Sequence, residues 1–322
     1  MRRLLIALAL CAGVHAASAQ EWPTRPITLI IPFAPGGAID VGSRLLALRM
    51  GELLGQTVIV DNVGGGGGMI GGLRVAKAAP DGYTFLAGNV GTHAYTQTLY
   101  KKPLYDVQAD FTPVGLATDS ARVLVVRKDL PVDNLPAFIA YVKANQANMQ
   151  FGSAGVGSAT HLPCVLLNQV LGVDVIHVPF RGSGPVMNEL IGGRIDYMCD
   201  SIQTSLPQIR SGTIKPIAIM AAARSPVLPA VPTTGEQGLA GVEASAWNAY
   251  FLPKGTPDAV VKKLNKALSD ALDTPAIRDR LEELGADVVP AEHRSPEYLA
   301  KLIPAEIGRW AKPIRAAGIS QD

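Results

Sequence analysis

Charge is scarce in this sequence and balanced where it occurs. Only 17% of the residues are charged, with 29 basic against 27 acidic and a net charge of +2. Arg2 and Arg3 account for that excess, so the remainder is neutral. This excludes the basic footprint that nucleic acid or an anionic membrane surface requires. Histidine is equally thin, at 5 in 322 residues. No H-E-x-x-H and no His–Cys set in a zinc-site pattern occurs, so no metal is expected. A G-x-S-x-G elbow and a G-K-[ST] phosphate loop are also missing. No period of 20 to 50 residues repeats, and no apolar run reaches the ~20 residues of a membrane span. What is left is a chain expected to have no catalytic residue and no cofactor.

The N-terminus reads as an export signal. Arg2 and Arg3 precede an apolar core from Leu4 to Val14, and Ala17-Ser18-Ala19 supplies an A-x-A cleavage site. Residues 1–19 are therefore read as a signal peptide cut after Ala19, and the mature protein as periplasmic. Cys11 lies in the apolar run, but the bulky Leu10 before it is wrong for lipoprotein processing. Two of the three cysteines remain, Cys164 and Cys199, in a compartment that permits a disulfide. The sequence leaves open whether they pair.

Three early segments repeat one plan of strand, Gly-rich or polar loop, and helix. Ile27 to Ile31 leads through Pro32–Gly37 into a helix over Ala38 to Leu54. Val58 to Val60 leads through Asn62–Gly68 into Ile70 to Ala78. Thr84 to Ala87 leads through Gly88–Thr92 into a helix from His93. Such alternation predicts right-handed crossovers and a parallel sheet, with the loops gathered at one edge, where open α/β folds bind ligands. A second set has strands at Gln150 to Ser153, Val175 to Pro179, Ile195 to Asp200 and Ile214 to Ile219, and Arg122 to Arg127 is a strand able to carry the chain between the sets. The Pro-rich stretch Ser225 to Pro232 suggests the return, and Thr256-Pro257 and Ser295-Pro296 each place a cap and a first-turn proline before a C-terminal helix. The expected fold is α/β with two lobes: residues 20–120, then 121–221, then a return over 222–322.

The glycine run is the sharpest local signal. Gly66-Gly67-Gly68-Met69-Ile70-Gly71 satisfies G-x-G-x-x-G between a strand and a helix, but Asn89 stands where a dinucleotide fold places its acid. An anion cradle at a helix start is the preferred reading, since glycine exposes backbone N–H groups and the helix end adds partial positive charge. A tight connection without a ligand is the alternative. Asp40 and Arg44 lie four apart and are expected to pair with each other. His161 is read first as a capping or core residue, and Asp200 equally as ligand-facing or structural. Gly-flanked Ser153, Ser158 and Ser183 suit hydrogen bonding to a ligand as well as nucleophilic attack.

Taken together the loops resemble the Bug or TctC-like family, the extracytoplasmic receptors of tripartite tricarboxylate transporters. The resemblance rests on WPTRPITLIIPFAPGGAID from Trp22, AAPDGYTFLAGN from Ala78, FGSAGVGSATHL from Phe151, HVPFRGSGPVMNELIGGRIDYMCDS from His177 and PKGTPDAVVKKLN from Pro253. It implies a Venus-flytrap periplasmic binding protein, type II-like, with the ligand in an interlobe cleft and transporter membrane subunits as partners. It also implies ligand contacts from Phe33, Ala34, Gly36 and Gly37, from Gly65, Gly66, Gly67 and Gly68, and from Asn89 and Thr92. The second lobe would add Ser153, Gly157, Ser158, His161 and Asp200. Recognition would then use neutral amides, hydroxyls and water more than ion pairs.

The chain departs from the family where the usual E-N-R-P-G-A-G-G becomes Asp61 to Gly68, losing a cation and a proline, and where H-V-P-Y-K-G becomes His177 to Gly182, placing Arg181 either at a second carboxylate or, equally, in a surface or interlobe ion pair. Phe33 and the Asn89–Tyr95 segment lean toward an aromatic or dicarboxylic acid such as terephthalate. The resulting expectation is a monomeric receptor for a small carboxylate. Two alternatives stand beside it: a secreted hydrolase or lyase using a Gly-flanked serine, and a sensor presenting its ligand to a signalling partner.

Overall fold

The computed structural model describes residues 22–320. The signal-peptide reading and its cleavage after Ala19 lie outside the described residues. The first three units form as expected: β1 (Ile27–Ile31), α1 (Ala38–Leu54), β2 (Val58–Asn62), α2 (Met69–Ala76) and β3 (Thr84–Asn89). β1 pairs in parallel with both β2 and β3. After β3 a wide helical turn over Gly91–Tyr95 runs into the short α3 (Thr96–Leu99). β4 (Phe111–Asp119) then brings the chain to the sheet edge, where it crosses into a second lobe.

That lobe opens with β5 (Arg122–Arg127) and α4 (Leu135–Asn145), and continues with β6 (Gln150–Ser153), α5 (His161–Leu171), β7 (Ile176–Pro179), α6 (Ser183–Ile191), β8 (Tyr197–Ser201), α7 (Ile202–Arg210) and β9 (Ile214–Met220). Its sheet is ordered β7-β6-β8-β5-β9. Cys164 of α5 and Cys199 of β8 are joined by a disulfide, with their Cα atoms 5.5 Å apart.

The chain returns later than the Pro-rich stretch suggests. Leu228 and Val231 are buried with Val123 and Ile219, and Val242 with Leu124, so residues 222–245 cover the second sheet. Isolated bridges from Ile219 to Thr233 and from Ala121 to Ser245 hold them there. Ala246 already packs in the first lobe, so the crossing falls at Ser245–Ala246 rather than at residue 222. β10 (Asn248–Pro253), α8 (Asp258–Asp273), α9 (Pro275–Glu283), β11 (Asp287–Val288) and α10 (Pro296–Ala316) complete the first lobe, whose sheet reads β11-β4-β10-β3-β1-β2.

Neither sheet is purely parallel. β10 runs antiparallel to β3 and β4, and β5 antiparallel to β8 and β9. A strand that has just crossed between lobes starts at the shared edge and must run away from it, against strands that end there. The first residues of β5 and β10, Arg122 and Asn248, are thus placed at the cleft.

The helices follow their sequence signals with one exception. In α8, Val260, Val261, Leu264, Ala267, Leu268, Ala271 and Leu272 form one buried stripe at helical spacing. Ser295 caps α10 by accepting the Tyr298 N–H at 3.1 Å, with Pro296 in the first turn. Thr256, however, does not cap α8: its hydroxyl donates to the Pro253 carbonyl at 2.8 Å, and Pro257 takes the cap position.

Candidate ligand-binding cleft

One partly open cavity, spanning about 440 Å³ of space that includes its open mouth, lies between the lobes. From the first lobe Phe33, Gly37 and the first residues of α1 reach it, with Asn89 from the end of β3. From the second come Ala154, Ser158, Ala159 and Thr160 before α5, Ser183 at the start of α6 and Ser201 before α7. Arg122, Ala246 and Asn248 close it at the crossings.

Four helices therefore begin at this cavity, and none of the four is capped by its own N-cap side chain: Gly37 before α1, Thr160 before α5, Gly182 before α6 and Ser201 before α7. A helix start has N–H groups without intrahelical partners and carries roughly half a positive charge; here the first N–H of α5 goes to the Ser158 carbonyl at 3.0 Å and that of α7 to the Ala121 carbonyl at 3.4 Å. The α1 and α6 starts abut, because a Cβ on Gly37 would lie 3.5 Å from that of Ser183. Such an arrangement favours an anion.

The loop before α1 is braced from behind. Asp40 accepts the Gly36 N–H at 3.0 Å and the Asn62 side-chain amide at 2.9 Å, and Asn62 also donates to the Phe33 carbonyl at 3.0 Å. Arg44 pairs with Asp40 at 3.0 Å as its spacing predicts, which occupies that carboxylate away from the cavity. Asn89 and Thr92 cap each other: the Asn89 N–H meets Thr92 Oγ1 at 2.9 Å and the Thr92 N–H meets Asn89 Oδ1 at 3.2 Å. The Asn89 amide nitrogen is what remains for a ligand. On the facing wall Ser158 Oγ and Thr160 Oγ1 lie 3.2 Å apart, and Thr160 Oγ1 accepts the Ala154 N–H at 2.8 Å.

Of the residues implied by the family pattern, Phe33, Gly37, Asn89 and Ser158 line the cavity. The others stand nearby in different roles. The Ala34 N–H donates to the Arg181 carbonyl at 2.8 Å, and Gly36 packs on Gly184, so both join the lobes to each other. Arg181 itself has an exposed side chain and is not among the lining residues. The glycine run also faces protein. A Cβ on Gly65 would meet Ile70, and one on Gly66 would touch Ile70 and Met69. At Gly67 it would strike the Val156 carbonyl of the other lobe, and at Gly68 it would lie 2.6 Å from Thr92 and 2.8 Å from the Phe33 ring. The run shapes the cleft by close approach and supports Phe33 from behind. Thr92 is buried against the Asn89 carbonyl and His93.

In the second lobe the seryl, histidyl and aspartyl expectations divide. Ser153 is buried outside the cavity, its Oγ 2.7 Å from His177 Nε2 and accepting the Gly155 N–H at 3.1 Å. Gly157 packs against Leu99 and Tyr100. His161 turns away: its Nδ1 accepts the Gly157 N–H at 3.3 Å, its ring is 4.3 Å from that of His177, and both line a separate cavity beneath residues 317–320. Burial, with His177 nearby, pushes its pKa down to about 3. The Asp200 side chain is also off the lining, where Ser201 stands instead. It accepts Ser205 Oγ at 3.1 Å, its Oδ1 is buried without a partner, and burial pushes its pKa up to about 6 against the opposing field of Arg122. Among the described residues no cluster of three or more His, Cys, Asp or Glu is placed to hold a metal.

Arg122 is the functional residue that loop reasoning misses. It is only 5% exposed, lines the cavity, and its Nε is buried with no partner. Burial lowers its pKa from the ordinary value, partly opposed by Asp200. The signal that finds it is its position as the first residue of a crossing strand. The aromatic cluster expected after β3 is likewise not at the site, since His93 stacks on Phe251 and Tyr95 packs edge-on to Trp310.

The family described as Tripartite tricarboxylate transporter family receptor matches residues 43–319. The chain belongs to this receptor family. Among solved members it is similar to periplasmic binding protein BugD, at 38% identity and TM-score 0.91, covering 94% of this chain and all of BugD. It is 43% identical to MatC from Rhodopseudomonas palustris, solved with bound malate, at TM-score 0.89 over 91% of this chain and all of MatC. It is 36% identical to R. palustris Rpa4515, solved with adipate, at TM-score 0.89 over 94% of this chain and all of that one. These receptors are periplasmic solute-binding proteins of the same two-lobed α/β fold, and no described helix of this member is long and apolar enough to cross a membrane.

Proposed function

We propose that this receptor captures a small organic carboxylate in the interlobe cavity, closes on it, and delivers it to the membrane subunits of a tripartite tricarboxylate-type transporter. The observation that supports the reading is the convergence of four helix starts, uncapped by their own N-cap side chains, on one interlobe cavity. Malate in MatC and adipate in Rpa4515 support carboxylates as the class. An aromatic acid such as terephthalate rests on Phe33 alone, because the other aromatic groups expected there are packed in the core.

A thermal-shift screen of the mature protein against a panel of carboxylates tests this. A ligand that binds only the folded state raises the melting temperature, by about 2.7 kcal/mol of stabilisation at a hundred times Kd. The reading falls if no carboxylate shifts the melt. Among the described residues Ser153–His177 is the one hydrogen-bonded Ser–His pair, but its hydroxyl is buried, bonded to Gly155 and outside the cavity. Recovery of the bound carboxylate unchanged after prolonged incubation separates receptor from enzyme.

A further inference from the structure

We propose that Arg122 sets the specificity of this site by taking the second carboxylate of a dicarboxylate whose first carboxylate rests on the helix starts. The inference deepens the carboxylate-receptor reading and rests on it.

Arg122 is a buried cation that makes no ion pair within 4 Å among the described residues, although the field of Asp200 reaches it. Its side chain makes no hydrogen bond or ion pair with any described residue, and its Nε is buried and unpartnered on the cavity lining. Arg294, buried to a similar degree, shows the usual alternative: it donates to the Val289 carbonyl at 2.9 Å and pairs with Asp273 at 2.6 Å. A guanidinium in the protein interior with an unpartnered N–H is costly, so such a group marks a place where an anion is to arrive.

The neighbouring acids do not meet this need. Asp200 belongs to the other face of the sheet: β5 and β8 pair Arg122 with Ser201 and Val123 with Asp200, and side chains alternate along a strand. Asp200 therefore sides with α7, where Ser205 reaches it, while Arg122 sides with the cavity. Asp119 accepts the Ser120 N–H at 2.7 Å and the Ser245 hydroxyl at 3.1 Å. Glu306 takes the indole N–H groups of Trp247 and Trp310, each at 3.2 Å, and Arg309 at 3.2 Å.

The donors around the cavity consequently fall into two sets. One is neutral and comes from the starts of α1, α5 and α6. The other is the planar, always-charged fork of Arg122 at the crossing, suited to a carboxylate. A monocarboxylate satisfies one set and leaves the other bare, whereas a dicarboxylate satisfies both.

Calorimetry on matched pairs decides the matter: succinate with butyrate, adipate with hexanoate, and terephthalate with 4-methylbenzoate. In the wild type the dicarboxylate of at least one pair binds more than about tenfold tighter than its match. Arg122→Gln loses on the order of a hundredfold for that dicarboxylate and less than about tenfold for the monocarboxylate, so the ratio collapses. Apo melting of the variant separates lost binding from lost folding, and Arg122→Lys, which keeps the charge without the fork, gives an intermediate ratio if the glutamine form does not fold. Equal binding of both partners of every pair, or a ratio unchanged by either substitution, overturns the specificity assignment and leaves the receptor reading standing. Absence of binding by all six acids overturns the specificity assignment, and the wider thermal-shift panel then decides the receptor reading.

Discussion

Gly67 and Val156 meet across the lobe boundary so closely that a Cβ on Gly67 would collide with the Val156 carbonyl oxygen. Gly66, next in the run, has a similar left-handed backbone, with φ at 55° against 62°, yet its Cβ would make only ordinary contacts with Ile70 and Met69. The two positions thus separate backbone strain from interlobe approach.

Gly67→Ala and Gly66→Ala are expected to lower apo stability alike, by on the order of 1 kcal/mol for an alanine at positive φ. Only Gly67→Ala should hold the lobes apart. Small-angle scattering in the presence of a bound carboxylate checks this: the radius of gyration contracts for wild type and Gly66→Ala and stays large for Gly67→Ala.

A second comparison sets Gly68→Val against Ser158→Ala. The valine drives into the Phe33 ring and Thr92, displacing a cavity wall, whereas the alanine removes one neutral hydroxyl. Loss of the hydroxyl should cost about 0.5–1.5 kcal/mol of binding, and the glycine change far more. Affinity by calorimetry, read beside apo melting for each, distinguishes the two. Wild-type affinity in a folded Gly68→Val protein would show that the run has no bearing on the ligand.

The pH dependence of stability has two opposed parts. His93, His161 and His177 are held neutral by burial, with pKa values near 3, 3 and 4 against an ordinary 6.5. Between those values the unfolded chain binds more protons, so stability is lost as pH falls below about 6.5. Asp200, raised to about 6 from 3.8, acts the other way: the folded state holds its proton longer, and its contribution is lost as pH rises from about 4 through 6. Asp200→Asn should therefore stabilise the protein by on the order of 2–3 kcal/mol at pH 8 and by little at pH 4. Urea unfolding at the two pH values measures the difference.

The Cys164–Cys199 bridge closes 35 residues of chain. Replacing both cysteines with serine should cost about 3–4 kcal/mol on the loop-entropy account. A reduced urea midpoint, with a steeper slope as the freed unfolded chain expands, would register it, and an unchanged midpoint would mean that the bridge adds nothing to stability.

Much of this architecture was legible in the residues because it is periodic. The alternation from Ile27 to Asn89 and the stripe of α8 stand in the sequence as they stand in space. What was not legible depends on direction and facing. Nothing in Ser225–Pro232 says that its apolar neighbours cover the second sheet. His161 and Asp200 lie within a residue or two of lining positions, and a single step along the chain turns each away. Arg122 escaped because ligand loops are sought at the carboxyl ends of strands, and it begins one.

The end of the chain carries a practical consequence. α10 belongs to the first lobe, yet its Ala316 carbonyl accepts Gln169 Nε2 of α5, in the second lobe, at 2.8 Å. A lobe motion that separates α5 from α10 would break that contact. A fluorophore placed beside Ala316 would, for the same reason, report occupancy of the cleft from outside it.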